Sequence, residues 1–239
     1  MNDVSPATEQ DSARGAARRI DIVSDVICPW CFIGKRQLER ALAILAQEGL
    51  MFSVHWAPFQ LNPEMPEGGA SRRDYRIAKF GSLEKSLALD ARITEAAALA
   101  GLQFHLDRLT RTPNTVDAHR LAMLAGHLEP QTRTGLQNDV MEAVFQAYFI
   151  AGQDIGNAAV LADAAASVGL ERDAILAFLA SDDAREPVLA ADAAARKTGV
   201  NGVPSFFLDG HGLFSGALPA EQMADAFRRA HQLLAVQAA

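Results

Sequence analysis

The 239 residues predict an α/β fold whose sheet-forming ends are separated by a long helical insertion. Three observations carry that reading. A short strand-like run leads at once into the chain's two cysteines and a helical repeat. Alanine-rich helical periodicity then fills most of residues 71–197, and strand character returns at "VPSFFLDG" and "HGLFSG" before a last amphipathic helix. The order strand, helix, strand, helical stretch, hairpin, helix joins residues 19–62 to 198–239 as one unit, with 63–197 inserted as a helical subdomain.

In "RIDIVSD", Ile20 and Ile22 alternate against Asp21, which is the period of a half-buried strand. Downstream, Leu38, Leu42 and Leu45 recur at helical spacing. Seven residues back from Leu38 stands Cys31, on the same face, so Cys31 is expected under the helix and Cys28 exposed at its start. Gly49 ends that helix, and "MFSVHWAPF" sets Phe52, Val54 and Trp56 on one side of a second strand. Gly101, Pro113, Pro130, Gly152 and Gly169 punctuate the helical middle. Within it Leu136, Val140, Val144 and Tyr148 form one stripe, and Met141, Phe145 and Phe149 its neighbour, read as packing core rather than a cofactor box. Asp209-Gly210-His211-Gly212 signals a hairpin, and Pro219 falls in the first turn of the closing helix.

The composition narrows the function classes. A net charge of −7, from 22 basic and 29 acidic residues, leaves no basic stripe for nucleic acid. No run approaches the roughly eighteen apolar residues that would span a bilayer. Residues 1–18 are polar and lack the apolar segment of a secretory signal, which predicts a disordered leader on a cytoplasmic protein.

Cys28 and Cys31 are the only cysteines. A bridge closing two residues removes little entropy from the unfolded chain, so a structural staple would contribute almost nothing. A zinc site would need further ligands, and the six histidines, His55, His105, His119, His127, His211 and His231, are scattered, so no metal is expected unless they converge in space. A reversible dithiol is the preferred reading. At a helix start, unpaired N–H groups and the helix dipole favour a Cys28 thiolate, and Pro29 suits the first helical position. Regular i, i+3 spacing sets Cβ atoms about 5–6 Å apart, whereas a disulfide wants nearer 3.8 Å, so the first turn must adjust. Far along the chain, Val203-Pro204 precedes a strand, a place where proline serves an edge or a special bend. The functional reading is a cis peptide packed against the cysteine pair, with the Val203 backbone free to pair with substrate.

"DVICPWCFIGKR", "WAPFQLNP", "PNTVDAHRLA", "AYFIAGQDIG" and "GVNGVPSFF...FSGALP" resemble, in order, blocks of the DsbA-like thiol-disulfide oxidoreductases, and within them the FrnE-like branch. The resemblance covers most of Ile20 to Ala235 and implies a thioredoxin-like fold with a large helical insertion. It further implies Cys28 as nucleophile, Cys31 as resolving thiol and Pro204 as the cis-proline, with a redox-active Cys28–Cys31 disulfide, no separate cofactor, and glutathione as a candidate co-substrate. Trp30, Val203 and Asn114 are the candidate substrate-binding residues, and protein or small-molecule thiols and disulfides the candidate partners.

Three departures separate this chain from the exported members. It shows no signal segment; Trp30 stands where they favour histidine; and Ile22 occupies the position, six before the first cysteine, where many relatives bury a carboxylate. Asp25 could take over proton handling, or simply cap the active-site helix. Asn114 is a natural helix cap after Pro113, and His119 is read as packed or solvated. Two other functions compete: a glutathione-dependent isomerase or transferase resembling 2-hydroxychromene-2-carboxylate isomerase and the kappa-class transferases, which usually carry serine at the first cysteine position, and a non-catalytic, chaperone-like binder.

Overall fold

The computed structural model describes residues 17–237. Residues 1–16, most of the stretch read as a leader, lie outside the described residues, and Arg18 already opens the first strand. The central sheet takes two strands from each end of the chain. β1 (Arg18–Ser24) pairs in parallel with β2 (Phe52–Pro58) and antiparallel with β5 (Ser205–Leu208), which pairs antiparallel with β6 (His211–Ser215), giving the order β2-β1-β5-β6. The β5–β6 link is the two-residue turn Asp209-Gly210, both at positive φ, as a hairpin with a right-handed twist requires.

α1 (Pro29–Gln47) and α9 (Ala220–Gln237) pack together against this sheet. Ile20 and Ile22, the alternating pair of β1, are fully buried with Cys31, Phe32, Ala41 and Leu45 of α1, Leu208 of β5 and Phe227 of α9. Pro219 sits just ahead of α9, where its carbonyl accepts the Met223 N–H at 3.0 Å. Pro204 approaches α1 so closely that a Cβ on Gly34 would lie 3.0 Å from its ring, which explains a glycine inside this helix.

Between β2 and β5 run seven helices: α2 (Arg72–Phe80), α3 (Leu83–Leu99), α4 (Val116–Leu128), α5 (Leu136–Phe145), α6 (Ala158–Ser167), α7 (Arg172–Ala180) and α8 (Arg185–Lys197). The insertion also contains a two-stranded ladder, β3 (Ala70–Ser71) against β4 (Arg111–Thr112). Its strands are too short to show a period in sequence. Gly69 leads into it at φ +68°, with a Cβ there only 2.7 Å from the Thr112 carbonyl oxygen.

Both predicted stripes of α5 are buried, and the helix widens into a π-turn at Gln146–Ile150 that carries Tyr148 and Phe149. The insertion meets α1 in an aromatic stack: Phe32 lies 5.0 Å from Phe145 and 5.7 Å from Phe104, with Phe104 and Phe149 4.8 Å apart. Beside it the buried Lys35 ammonium reaches Glu142 at 2.7 Å and also pairs with Glu39, while Arg36 reaches Glu142 at 2.6 Å. Burial works against charge on Glu142, yet Lys35, Gln146 and Arg36 hold its carboxyl below the usual range. The open edge of β2 is covered by the Gln137 amide, which accepts the Trp56 N–H at 2.9 Å and donates to the Trp56 carbonyl at 3.0 Å. Phe32→Ala should therefore cost about 3–5 kcal/mol in urea unfolding; a loss under about 1 kcal/mol would mean the insertion is not joined to α1 through this stack.

Candidate active site

Cys28 is the residue that caps α1, with extended backbone (φ −86°, ψ 112°) and Pro29 in the first helical position, as its place in the sequence implied. A turn from Asp25 to Cys28, closed by the Cys28 N–H on the Asp25 carbonyl at 3.0 Å, delivers it from the end of β1. The Cys31 N–H bonds the Cys28 carbonyl at 3.0 Å, and the two side chains, both free thiols, lie 3.5 Å apart. The Val203–Pro204 peptide is cis, and the Val203 carbonyl accepts the Cys28 S–H at 3.6 Å.

The expectation of an exposed Cys28 is corrected. Cys28 is 4% exposed and Cys31 fully buried. Cys28 lines a cleft of about 340 Å³, walled by α2, α3, the segment before β4 and the π-turn, and is flanked there by Trp30 and Val203. The helix start is where the sequence put it; the insertion covers it.

Burial, chiefly, and the neighbouring Cys28 push the Cys31 thiol well above its ordinary value, with the Ser24 hydroxyl and the Asp25 backbone N–H opposing. Tyr148, in the cleft wall, is also raised by burial and donates to the Arg111 carbonyl at 3.1 Å.

Asp25 does not cap α1: no side chain caps that helix. Its carboxylate is fully buried and accepts the Leu61 N–H at 2.7 Å, with His119 Nε2 at 3.4 Å. His119, packed as expected, is placed by a 3.1 Å bond to the Phe59 carbonyl. Asn114 does not line the cleft. Thr115, not Asn114, is the residue that caps α4; the Asn114 Oδ1 accepts the Val116 N–H at 3.0 Å from just outside the helix and its Nδ2 donates to the Met65 carbonyl at 2.7 Å, so substrate binding is not assigned to it.

Several wall residues carried no local signal in the sequence. Asn62, Arg72, Tyr75, Arg76 and Lys79 line the cleft because the β3–β4 ladder lays α2 along it. Asp192, buried on α8, accepts the Gln60 N–H at 2.8 Å and pairs with Arg196, whose guanidinium lies 4.2 Å from the Phe59 ring centre. Among the described residues no group of three or more His, Cys, Asp or Glu is placed to hold a metal ion, and no helix is long and apolar enough to cross a membrane.

A cysteine pair on a helix start beside a cis-proline loop defines a thioredoxin-like redox fold, and residues 19–228 match the model of the DSBA-like thioredoxin domain: the chain belongs to that family. It is 30% identical to the probable DsbA oxidoreductase SCO1869 of Streptomyces coelicolor, with a TM-score of 0.77 over 90% of each chain. Against the uncharacterized protein YwbO of Bacillus subtilis it is 27% identical over 152 residues, a match spanning 64% of this chain and 66% of YwbO. The fold is shared with a 2-hydroxychromene-2-carboxylate isomerase (21% identity, TM-score 0.65, 92% and 98% of the two chains). It is shared too with the cytosolic disulfide reductase DsbM of Pseudomonas aeruginosa with GSH (19% identity, TM-score 0.58, 90% and 98%).

In the folded protein a small alkylating reagent should label Cys28 through the cleft and leave Cys31 untouched until denaturation, as mass spectrometry of time points would show; equal labelling of both thiols contradicts this geometry. A raised Cys31 value means that the native state favours the thiol. That contribution is complete below the ordinary thiol value of about 8.5 and is lost as pH rises through the folded value. Reduced protein should lose stability above about pH 8.5, and Cys31→Ala should lose less.

Proposed function

We propose that the protein is a thiol-disulfide oxidoreductase in which Cys28 attacks and Cys31 resolves. The observation that carries this reading is a pair of free cysteines 3.5 Å apart at a helix start, the first opening on a cleft. The Cys28 thiolate attacks one sulfur of a disulfide R–S–S–R′, forming Cys28–S–S–R and releasing R′–S⁻. The Cys31 thiolate then attacks the Cys28 sulfur, closes the Cys28–Cys31 disulfide and expels R–S⁻. The two protons lost by the enzyme thiols end on the product thiols, so the enzyme is oxidised by two electrons and the substrate reduced by two. Two equivalents of a thiol restore the pair. Glutathione suits that role, and DsbM with GSH on the same fold supports it. A reducing cytoplasm, the compartment of this reading, would keep the pair as thiols between turnovers.

Cys31 must release its proton inside the protein. Asp25 is the proposed acceptor, since its buried carboxylate lies on the turn whose backbone N–H faces the Cys31 sulfur. Trp30 and Val203 flank the sulfur as substrate contacts, and Pro204 holds Val203 in place. The likeness to the chromene-carboxylate isomerase keeps a second reading, glutathione-dependent isomerisation, which would not need Cys31.

With a small aromatic disulfide, wild type should release two thiols per chain, Cys31→Ser one, with a trapped mixed disulfide, and Cys28→Ser none. A Cys31→Ser enzyme with undiminished turnover supports the isomerase instead. Asp25→Asn should leave the first release unchanged and slow the second at least about tenfold; equal slowing of both removes Asp25 from proton handling. Because Trp30 brings no positive charge to the thiolate, glutathione equilibration should give a potential of about −150 to −250 mV, below the strongly oxidising value of DsbA of about −120 mV. Trp30→His should raise it; a fall would show that this position does not control the poise.

A further inference from the structure

We propose that the cleft over Cys28 selects small disulfides that combine an apolar body with a carboxylate, the carboxylate anchored by Lys79, which Asn62 and Tyr75 hold in position. This rests on the oxidoreductase reading and specifies its substrate. Access is the first argument. Cys28 is 4% exposed and lines a cleft of about 340 Å³, so little of it is open to a disulfide held on a protein surface, whereas a small molecule can enter that volume.

The lining is the second. Trp30, Leu61, Phe80, Leu106, Leu109 and Phe149 make most of the wall apolar. Its charges fall into two groups. Arg72 and Arg76 share the Asp90 carboxylate, at 2.9 and 2.7 Å, and Arg76 is further tied to the Ser86 hydroxyl at 2.6 Å. Lys79 differs: among the described residues it pairs with no carboxylate, and its ammonium donates only to uncharged oxygens, Tyr75 Oη at 2.6 Å and Asn62 Oδ1 at 3.3 Å.

Asn62 supplies the third. Its Oδ1 accepts from both the Tyr75 hydroxyl (2.5 Å) and the Lys79 ammonium, which has no acceptor to offer, and this fixes the orientation of the amide. Bonded to each other, Tyr75 and Asn62 hold the Lys79 ammonium in place, and a carboxylate entering the cleft would give that ammonium the charged partner it lacks. The Asn62 Nδ2 is buried and takes no part.

The chemistry is the exchange already written, with R bearing the carboxylate: one aryl disulfide is reduced to two aryl thiols as Cys28 and Cys31 are oxidised to their disulfide.

The test compares two aromatic disulfides with fully reduced protein in stopped flow: anionic 5,5′-dithiobis(2-nitrobenzoate) and neutral 4,4′-dithiodipyridine, each followed by its released thiol. Wild type should saturate with the anionic probe. Lys79→Met should raise its half-saturating concentration about two- to fivefold and leave the neutral probe unchanged. Lys79→Arg should retain most of the affinity, and Asn62→Asp should weaken the anionic probe alone. Lys85→Met, an exposed lysine outside the cleft, controls for general charge and should change nothing. The proposal is overturned if the anionic probe does not saturate, if Lys79→Met moves neither probe or both alike, or if insulin is reduced as efficiently as the anionic probe. Those outcomes leave the oxidoreductase reading standing; release from both probes by Cys28→Ser would remove that reading instead.

Discussion

Asp25 carries its carboxylate to a fully buried position, where a charge is tolerable only if donors are brought to it. Meeting that demand organises the active-site end of the molecule. Leu61, from the loop after β2, supplies its backbone N–H at 2.7 Å; His119, from α4, approaches to 3.4 Å and is itself tied to Phe59 of the same loop. The residue's carbonyl meanwhile closes the turn that sets Cys28 at the start of α1. One side chain thus ties the cysteine turn to β2 and to the insertion. Asp192 repeats the arrangement one residue earlier in the loop, on the Gln60 N–H, and fastens α8 to the same wall.

The insertion determines what can reach the cysteines. A thioredoxin-like unit alone would leave the start of α1, and Cys28 with it, at the surface. α2 and α3 lie across that opening, and α2 buries none of its residues fully although five of them line the cleft. That side of α2, Arg72, Tyr75, Arg76, Lys79 and Phe80, faces a space rather than a core. The π-turn serves the same space: by widening after Phe145 the chain brings Tyr148 and Phe149 together into the cleft wall, while Phe149 keeps its place in the stack with Phe104.

What could be read in advance was local. Alternation at Ile20 and Ile22, the helical repeat running from Cys31 to Leu45, the paired stripes of α5 and the Asp209-Gly210 turn each declare themselves within a few residues, because backbone geometry dictates their period. The features missed depend on partners distant in sequence. Cys28 is covered by helices more than forty residues away; Gln137 seals the edge of β2 from 81 residues downstream; Asp192 meets Gln60 across 132. Asn114 shows the reverse limit. The resemblance offered it to the substrate, yet its local signal, an asparagine after proline at a helix start, came within one residue of its place: Thr115 caps α4, and Asn114 bonds the Val116 N–H from just outside. Gly34 falls between: a glycine inside a helix invites a packing reason, but only the fold reveals that the reason is the ring of Pro204.

The Cys28 sulfur stands where the cleft meets the cis-proline loop: it donates to the Val203 carbonyl at 3.6 Å, while Cys28, Trp30 and Val203 line the cleft together. Cys31 has no such opening: it is fully buried, and burial, chiefly, favours its thiol. The two cysteines, identical in type and three positions apart, therefore stand in different surroundings: the first lines the cleft, the second is enclosed by the core.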